Sequence, residues 1–516
     1  MKKFINIVLL GLLGTSLVSA QSSADALKFS ENFVNGSARY VGMGGAFGAL
    51  GGDFSSLGSN PAGLGVYRSS EFTISTSFNK GNFTSEYAGS TRNSKQNLLL
   101  DNLGVVLSFK PEKSDGTGIV GVNFGIGYYR GGNYNLDSRL NTGLQDYSIM
   151  DYWANKANGI DWLTGADLEE TSDYDPYNDP AIPLDILTAW KTGMLKYDAA
   201  NNYFHAPLSG STLYEFAPYQ MIQNEGGKSE YDFSLGLNFE HKFYFGMTLG
   251  LQSIDLSRYS LYSELLYNTK DINEPNKFDY LEYAENVAIT GSGVNFKLGA
   301  IYRPVEWLRV GLAFHTPTYF SLEENYSYFA RSEFVDGANV RYDPDTETTP
   351  RFRSKYDLQT PLKVIASAAI VFGDFGLISF DYDYSDYTSM TFKDGVNGDP
   401  LNNLNNEVKD VYRATNSFRV GGEFRVDNFF FRAGGAYYSS PYKSAFLNKD
   451  ADNLIISGGL GYRYKSVYVD LAYSRLMHEE KYVFFDMREA DGSLSLAPVT
   501  QKWSLGKTVL TFGIKF

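Results

Sequence analysis

Long stretches of this chain alternate strictly between apolar and polar residues, and that period of two restricts the fold more than any motif does. Val120, Val122, Phe124, Ile126 and Tyr128 interleave with Gly121, Asn123, Gly125, Gly127 and Tyr129. Tyr231, Phe233, Leu235, Leu237 and Phe239 interleave with Asp232, Ser234, Gly236 and Asn238. The pattern returns at 294–302, 308–314, 418–426 and 508–516. Alternation means a strand with two chemically different faces. A soluble sandwich would also alternate, but here the apolar face is almost uniformly large or aromatic and the other carries charges and glycines. Many runs also exceed ten residues, where soluble strands average about five or six. A membrane barrel, apolar outward and polar inward, needs about 9–11 residues per crossing. The aromatic share of 16% and the 51 glycines agree with β structure over helix.

Candidate strands fall near 70–79, 95–110, 118–133, 228–241, 243–268, 278–302, 307–332, 351–372, 375–393, 410–426, 428–442, 452–464, 466–486 and 499–516. That makes fourteen, and an even number suits a closed single-chain bacterial barrel. Connections alternate between short ones, such as Asp427-Asn428 and Lys465-Ser466, and long ones near 80–94, 134–227, 333–350, 394–409, 443–451 and 487–498. The segment 134–227 is the largest insertion, with helix-like spacing at 145–159 and 183–195. It reads as a loop cap packed on itself or as an outer groove for an apolar ligand.

Lys2 and Lys3 precede an apolar run ending at Leu13, and Val18-Ser19-Ala20 resembles a signal-peptidase site. The expectation is a signal peptide over 1–20 and export to the outer membrane of a Gram-negative bacterium. The formal charge of −14 argues against nucleic acid, whose phosphates need a basic face. The absence of cysteine removes disulfides, thiolate metal sites and cysteine nucleophiles.

Residues 21–69 hold no long alternating strand. They carry Gly42, Gly44 and Gly45, then Phe47, and later Asn60-Pro61-Ala62 where the segment leaves for the first strand. A dinucleotide loop is a poor reading, because Phe47 stands where the third glycine belongs and no strand precedes it. A compact glycine-rich segment ahead of a barrel suits a plug inside a narrow lumen. Glycines 121, 125 and 127 weaken the third strand. They mark a seam in the wall, or they leave room for the plug; the residues alone do not choose.

The run Arg39 to Phe47, then Asp53, then Asn60-Pro61-Ala62-Gly63-Leu64 resembles the hatch of the FadL/TodX family of outer-membrane channels for long-chain fatty acids and aromatic hydrocarbons. Residues 296–304 with 308–317, and 418–424 with 431–434, resemble hairpins of that family. The resemblance implies an all-β fold, a fourteen-stranded antiparallel transmembrane barrel with an N-terminal hatch. The hatch would be 21–69 and the barrel 70–516. It implies passive uptake by loop capture, hatch movement and lateral release, with Gly42, Gly44, Gly45, Phe47, Asn60, Pro61 and Ala62 gating. Gly121, Gly125 and Gly127 would form a lateral opening. A hemin receptor and a structural barrel with a fixed plug are the alternatives. The expected surroundings are outer-membrane lipid and lipopolysaccharide, and the expected form is a monomer.

No catalysis is expected. His205, His241, His315 and His478 show no metal-ligand spacing, and no nucleophile elbow is present. No cofactor is implied. Parity places Arg309, His315, Arg419 and Arg432 in the lumen, either pinning plug to wall or offering a guanidinium to a ligand carboxylate.

Overall fold

The computed structural model describes residues 22–87, 89–111, 118–207, 214–269, 277–335, 345–485 and 496–516. The expected signal segment, 1–20, lies outside them. Fourteen wall strands follow in chain order. They are β1 (Glu71–Glu86), β2 (Ser90–Phe109), β3 (Ile119–Asn133, continued by Leu136–Asn141), β4 (Tyr214–Phe239), β5 (Phe243–Thr269) and β6 (Lys277–Val305). Next come β7 (Leu308–His315, then Tyr319–Val335), β8 (Phe352–Gln359, then Lys363–Phe372) and β9 (Gly376–Asp386, with Thr391–Asp394). The last are β10 (Ala414–Val426), β11 (Phe429–Tyr438), β12 (Asn453–Tyr464), β13 (Val467–Tyr482) and β14 (Val499–Lys515). Each pairs antiparallel with its neighbour, and β14 closes on β1 from Glu71↔Lys515 to Glu86↔Thr500. The fold is therefore the fourteen-stranded barrel that the alternation implied. Closure matters because lipid offers no partner to a free strand edge.

The outward side chains of β5 draw the apolar belt: Phe243, Phe245, Met247, Leu249 and Leu251 are all exposed. Beyond Leu251 the pattern inverts. Ser253, Asp255 and Ser257 now point out, and Ile254 and Leu256 are buried inside. No register shift accompanies the change. The same strand has left lipid for water, so its apolar residues turn inward to make a core. β6 inverts likewise, with Val287 and Ile289 inside.

This upper wall corrects two expectations. The segment 80–94 is not a long loop; β1 and β2 stay paired up to Glu86↔Ser90. Above the belt both faces are polar there, so the hydrophobic period fades while the hydrogen bonds continue. Likewise β4 begins at Tyr214 and β3 resumes at Leu136, so strands occupy both ends of the 134–227 insertion. Between them, helices Ile149–Asn158 and Leu184–Lys191 pack Trp153, Ile186 and Leu187 with Tyr262, Phe278 and Phe484.

Residues 22–70 lie inside the wall. Helix α1 (Ser23–Ser30) packs Leu27 and Phe29 among Ile254, Leu256, Phe320 and Leu322. Helix α2 (Ala38–Gly42) and two short 3-10 turns, Phe54–Gly58 and Pro61–Val66, fill the lumen at belt level.

A belt residue and an outward residue above the belt should respond differently to charge. Met247→Arg should cost about 2–4 kcal/mol of folding free energy and Asp255→Arg less than about 1. Denaturant unfolding in lipid vesicles measures both; equal costs would misplace the belt.

Candidate functional site

The hatch is seated on wall glycines. A Cβ placed on Gly246 would lie 2.1 Å from the Pro61 carbonyl carbon, and one on Gly311 would lie 2.3 Å from the Gly48 oxygen. Gly421 and Gly434 leave the same room for Met43, at 2.2 Å each. Gly299 accommodates the Asn60 amide. The hatch reciprocates at Gly44, whose φ of +62° and whose 2.5 Å approach to the Gly435 nitrogen exclude a side chain twice over. Gly42 meets Gly459, and Gly45, also at positive φ, turns the chain back under Tyr40.

Polar groups fix this packing in register. Asn60 is 1% exposed and caps the turn Pro61–Val66 by accepting from the Ala62 N–H at 3.0 Å. Its amide donates to the Gly48 carbonyl at 2.7 Å and the Ala300 carbonyl at 3.2 Å. One side chain thus joins two hatch turns to β6. Asp381 of β9 accepts from the N–H groups of Phe47 and Gly48 at 3.0 Å each, and Arg419 braces it at 3.2 Å while reaching Asp383 at 2.9 Å. Phe47 is fully buried against Tyr40, with the Arg39 guanidinium 5.2 Å above its ring.

Arg39 heads a buried charge chain. It donates two N–H groups to Glu423, at 2.8 and 2.9 Å. Glu423 also accepts from Arg432 at 2.7 Å, and Arg432 reaches Asp470 at 2.7 Å. Forked, charge-assisted bonds are the strong kind, and each member here needs the next because an unpaired buried charge is costly. Arg309 donates to the Leu50 carbonyl at 2.9 Å. His315 Nε2 lies 3.0 Å from the Ser59 carbonyl; a carbonyl only accepts, so that nitrogen carries the proton.

Arg309 and His315 thus touch the hatch directly, Arg419 reaches it through Asp381, and Arg432 reaches it through Glu423. The residues 42–47 and 60–62 form one packed unit with them. Asp381, Glu423 and Asn123 complete the set. Asn123 of β3 donates to the Leu64 and Tyr67 carbonyls at 2.7 and 3.3 Å. Glycine at lumen parity on successive strands was the legible signal for the seat.

β3 pairs without interruption over 122–129 on both sides, so the wall is closed at Gly125 and Gly127. A register shift lies next to Gly121. Hatch side chains fill the space these glycines leave. Leu64 and Leu57 lie 3.4 and 3.5 Å from the Gly125 Cβ position, and the Phe54 ring lies flat on paired Gly104 and Gly127. On the outer face, an apolar recess of about 390 Å³ opens over Gly125, lined by Val105, Leu107, Phe124, Ile126, Leu235 and Leu249. The wall here is one backbone thick.

Higher up, Lys228 donates to the carbonyls of Phe29 and Glu31, at 2.6 and 2.9 Å, holding the end of α1. Asp25 pairs with Arg258 at 3.3 Å. Burial pushes the Glu31 carboxyl up to about 7, with His478 and Lys228 opposing and Glu480 adding to the rise.

A sealed barrel with a hydrogen-bonded internal plug defines a membrane-channel class. Residues 231–500 match the family described as outer membrane protein transport protein (OMPP1/FadL/TodX), and the chain belongs to that family. The family is one of transport in the outer membrane, not of catalysis. A FadL homologue from Pseudomonas aeruginosa superposes with a TM-score of 0.51 at 13% identity, covering 94% of this chain and 99% of that one. The Pseudomonas putida toluene transporter TodX gives 0.51 at 11% identity, with 94% and 99% covered. At such identities the likeness shows the fold. No curated protein matches the chain in sequence.

Two outcomes follow. Asn60→Ala leaves buried partners unsatisfied and should loosen the hatch by about 1–3 kcal/mol while the barrel stays folded. Faster hydrogen exchange over 46–62 with unchanged wall strands is the expected reading. Glu31 is an acid whose pKa folding raises, so its neutral form is favoured. Its contribution is intact below about 4.5 and is lost as pH rises through about 7. Protection factors across α1, taken relative to the intrinsic exchange rate at each pH, should be lower at pH 8 than at pH 5, and Glu31→Gln should abolish that difference.

Proposed function

We propose that this protein is a passive outer-membrane channel for hydrophobic small molecules such as long-chain fatty acids. Ligand is captured at the outer loops, the hatch moves, and release is sideways into the bilayer at β3. The observation that carries this reading is the wall at Gly125. Only a strand backbone separates the apolar hatch residues Leu57 and Leu64 from an apolar recess on the lipid side. Withdrawal of Phe54, Leu57 and Leu64 would leave this part of β3 without side-chain support on its inner face. A strand rich in glycine bends and breaks pairing at low cost. Loop capture has support from a recess of about 450 Å³ at the outer end, bounded by Glu86, Tyr87, Gln145 and Pro498.

The thermodynamic need is plain. An apolar ligand gains about 0.8 kcal/mol per buried methylene, so it partitions into membrane readily but stalls in a polar surface layer. A sheltered path with an exit into lipid requires no energy input.

Gly125→Trp should force an indole between Leu57, Leu64 and the wall, since the free approach there is only 3.4 Å. Uptake of a fluorescent fatty acid into proteoliposomes should fall at least about fivefold, in proportion to a barrier raised by about 1 kcal/mol. A correctly inserted variant that passes ligand at the parental rate would remove lateral exit at β3.

A further inference from the structure

The first outward positions above the apolar belt differ around the wall. On β5, β6 and β7 they are Ser253, Ser292 and Ser321, joined in register and all exposed. On β13, β14 and β1 they are Arg475, Gly506 and Lys80: Arg475 pairs with Gly506, and Gly506 pairs with Lys80. Arg475 and Lys80 are exposed, each with an exposed belt aromatic, Tyr473 or Phe78, on the same face one step below. In a chain of net charge −14, two cations flanking a glycine at the lipid border are a local arrangement and not a reflection of composition.

Register fixes the spacing. Adjacent strands lie about 4.8 Å apart, so the Cα atoms of Arg475 and Lys80 stand about 9.6 Å apart on one face. Gly506 leaves the floor between them bare. Tyr473 leans over that floor from below; its hydroxyl lies 2.9 Å from where a Cβ on Gly506 would stand. A guanidinium, an ammonium and a phenol thus surround one open patch of backbone, and all three can donate. Neither cation forms an ion pair among the described residues, and no carboxylate stands directly or diagonally beside either in the ladder. The acids of this face come higher. Glu479 lies four residues beyond Arg475 and Glu86 six beyond Lys80, where Lys502 pairs with Glu86 at 2.8 Å. Below the patch, Phe78, Leu98, Leu471 and Leu510 are exposed apolar surface.

We propose that this patch binds a phosphate of an outer-leaflet glycolipid, held between Arg475 and Lys80 with its acyl chains along Phe78, Leu471 and Leu510. The position selects the occupant. At the lipid–water border a ligand carries both an anion and an apolar body, and the outer leaflet of such a membrane is built of phosphorylated glycolipid. A guanidinium takes phosphate through two parallel N–H bonds, and the ammonium meets it as a point charge. A phosphomonoester, with about −1.5 to −2 charge and three free oxygens, suits the three donors; a diester head has less of both. Ser253, Ser292 and Ser321 offer no charge at their level, so the glycolipid is ordered on one side of the barrel. The site lies on the outer face of the wall and stands whether or not ligand leaves at β3.

The test uses purified full-length protein in neutral detergent at physiological salt, with EDTA so that no divalent ion bridges lipid to protein. Native mass spectrometry follows the binding of bisphosphorylated lipid A, its dephosphorylated form and phosphatidylglycerol, each titrated separately. Lipid A should bind, and the other two should bind at least about tenfold more weakly. Inorganic phosphate at the same concentration should not displace it. Arg475→Gln with Lys80→Gln should raise the apparent Kd for lipid A at least about tenfold, as the loss of two cations beside a lipid surface implies. Both changes are at exposed side chains and leave the strand pairing intact. Gly506→Leu keeps the two charges but fills the floor between them, and should cause a loss of the same order. Lys502→Gln, on the same face more than a Debye length above, should change the Kd less than about twofold. Unchanged affinity in the double variant or in Gly506→Leu overturns the proposal. So does equal binding of the dephosphorylated lipid or of phosphatidylglycerol, or displacement by free phosphate.

Discussion

A wall of fourteen strands encloses more space than its own inward side chains can fill, and the interior of this protein is organised around that excess. An eight-stranded barrel packs its lumen with side chains, and a porin of sixteen or more leaves a channel. At fourteen, a folded segment of the chain itself fills the middle. Its backbone must come close to the wall on several sides at once. That closeness explains the glycines at 246, 299, 311, 421 and 434, which face hatch backbone or the Asn60 amide. Each missing side chain on the wall is space occupied by the plug.

Close backbone packing alone is adaptable and sets no unique position. Polar contacts supply one. The chain from Arg39 through Glu423 and Arg432 to Asp470 links the hatch to three strands, β10, β11 and β13. Removing Glu423 would strand the Arg39 guanidinium and leave Arg432 with Asp470 alone, whereas the whole chain replaced by apolar residues would not carry that penalty. The arrangement therefore fixes where the hatch sits more than how strongly it is held. The opposite side of the hatch differs: Phe54, Leu57 and Leu64 meet β3 through apolar contact, with Asn123 and Asn35 as polar ties. A ligand that shares the chemistry of Leu57 and Leu64 can compete there and cannot compete at Glu423.

The barrel was legible because lipid imposes one rule on every strand that crosses it. Phe243 to Leu251 obey it, and so do Leu510, Phe512 and Ile514. The sequence also holds the limit of that rule. At Leu251 the apolar phase shifts by one residue, and Ile254 and Leu256 continue on the other face. Reading apolar as outward past that point misassigns inside and outside although the parity itself holds, and a hydrophobic period cannot reveal β1 and β2 where both faces are wet. Loop contacts were out of reach for another reason. Trp153 and Phe484 meet in one core although more than three hundred residues separate them, and no local pattern encodes that. At the hatch, Arg39, Asn60 and the lumen arginines were visible as residue types. Their partners were not, because a hydrogen bond from Arg309 to a carbonyl leaves no trace in side-chain identity.

In the proposed mechanism, opening is constrained by the same contacts. A ligand shifts an equilibrium only by its differential affinity for the two states. An apolar molecule lodged at Leu57 and Leu64 gains from both, since it buries surface whether the hatch is seated or not. It favours the open form only where it fills space that the hatch vacates. The space beneath Phe54, bounded by Gly104 and Gly127, meets that condition, because withdrawal of the ring leaves a flat glycine surface that a ligand ring or chain can cover. In the proposed mechanism the wall glycines serve two states: they admit the hatch when it is seated and present backbone without steric hindrance when it is not.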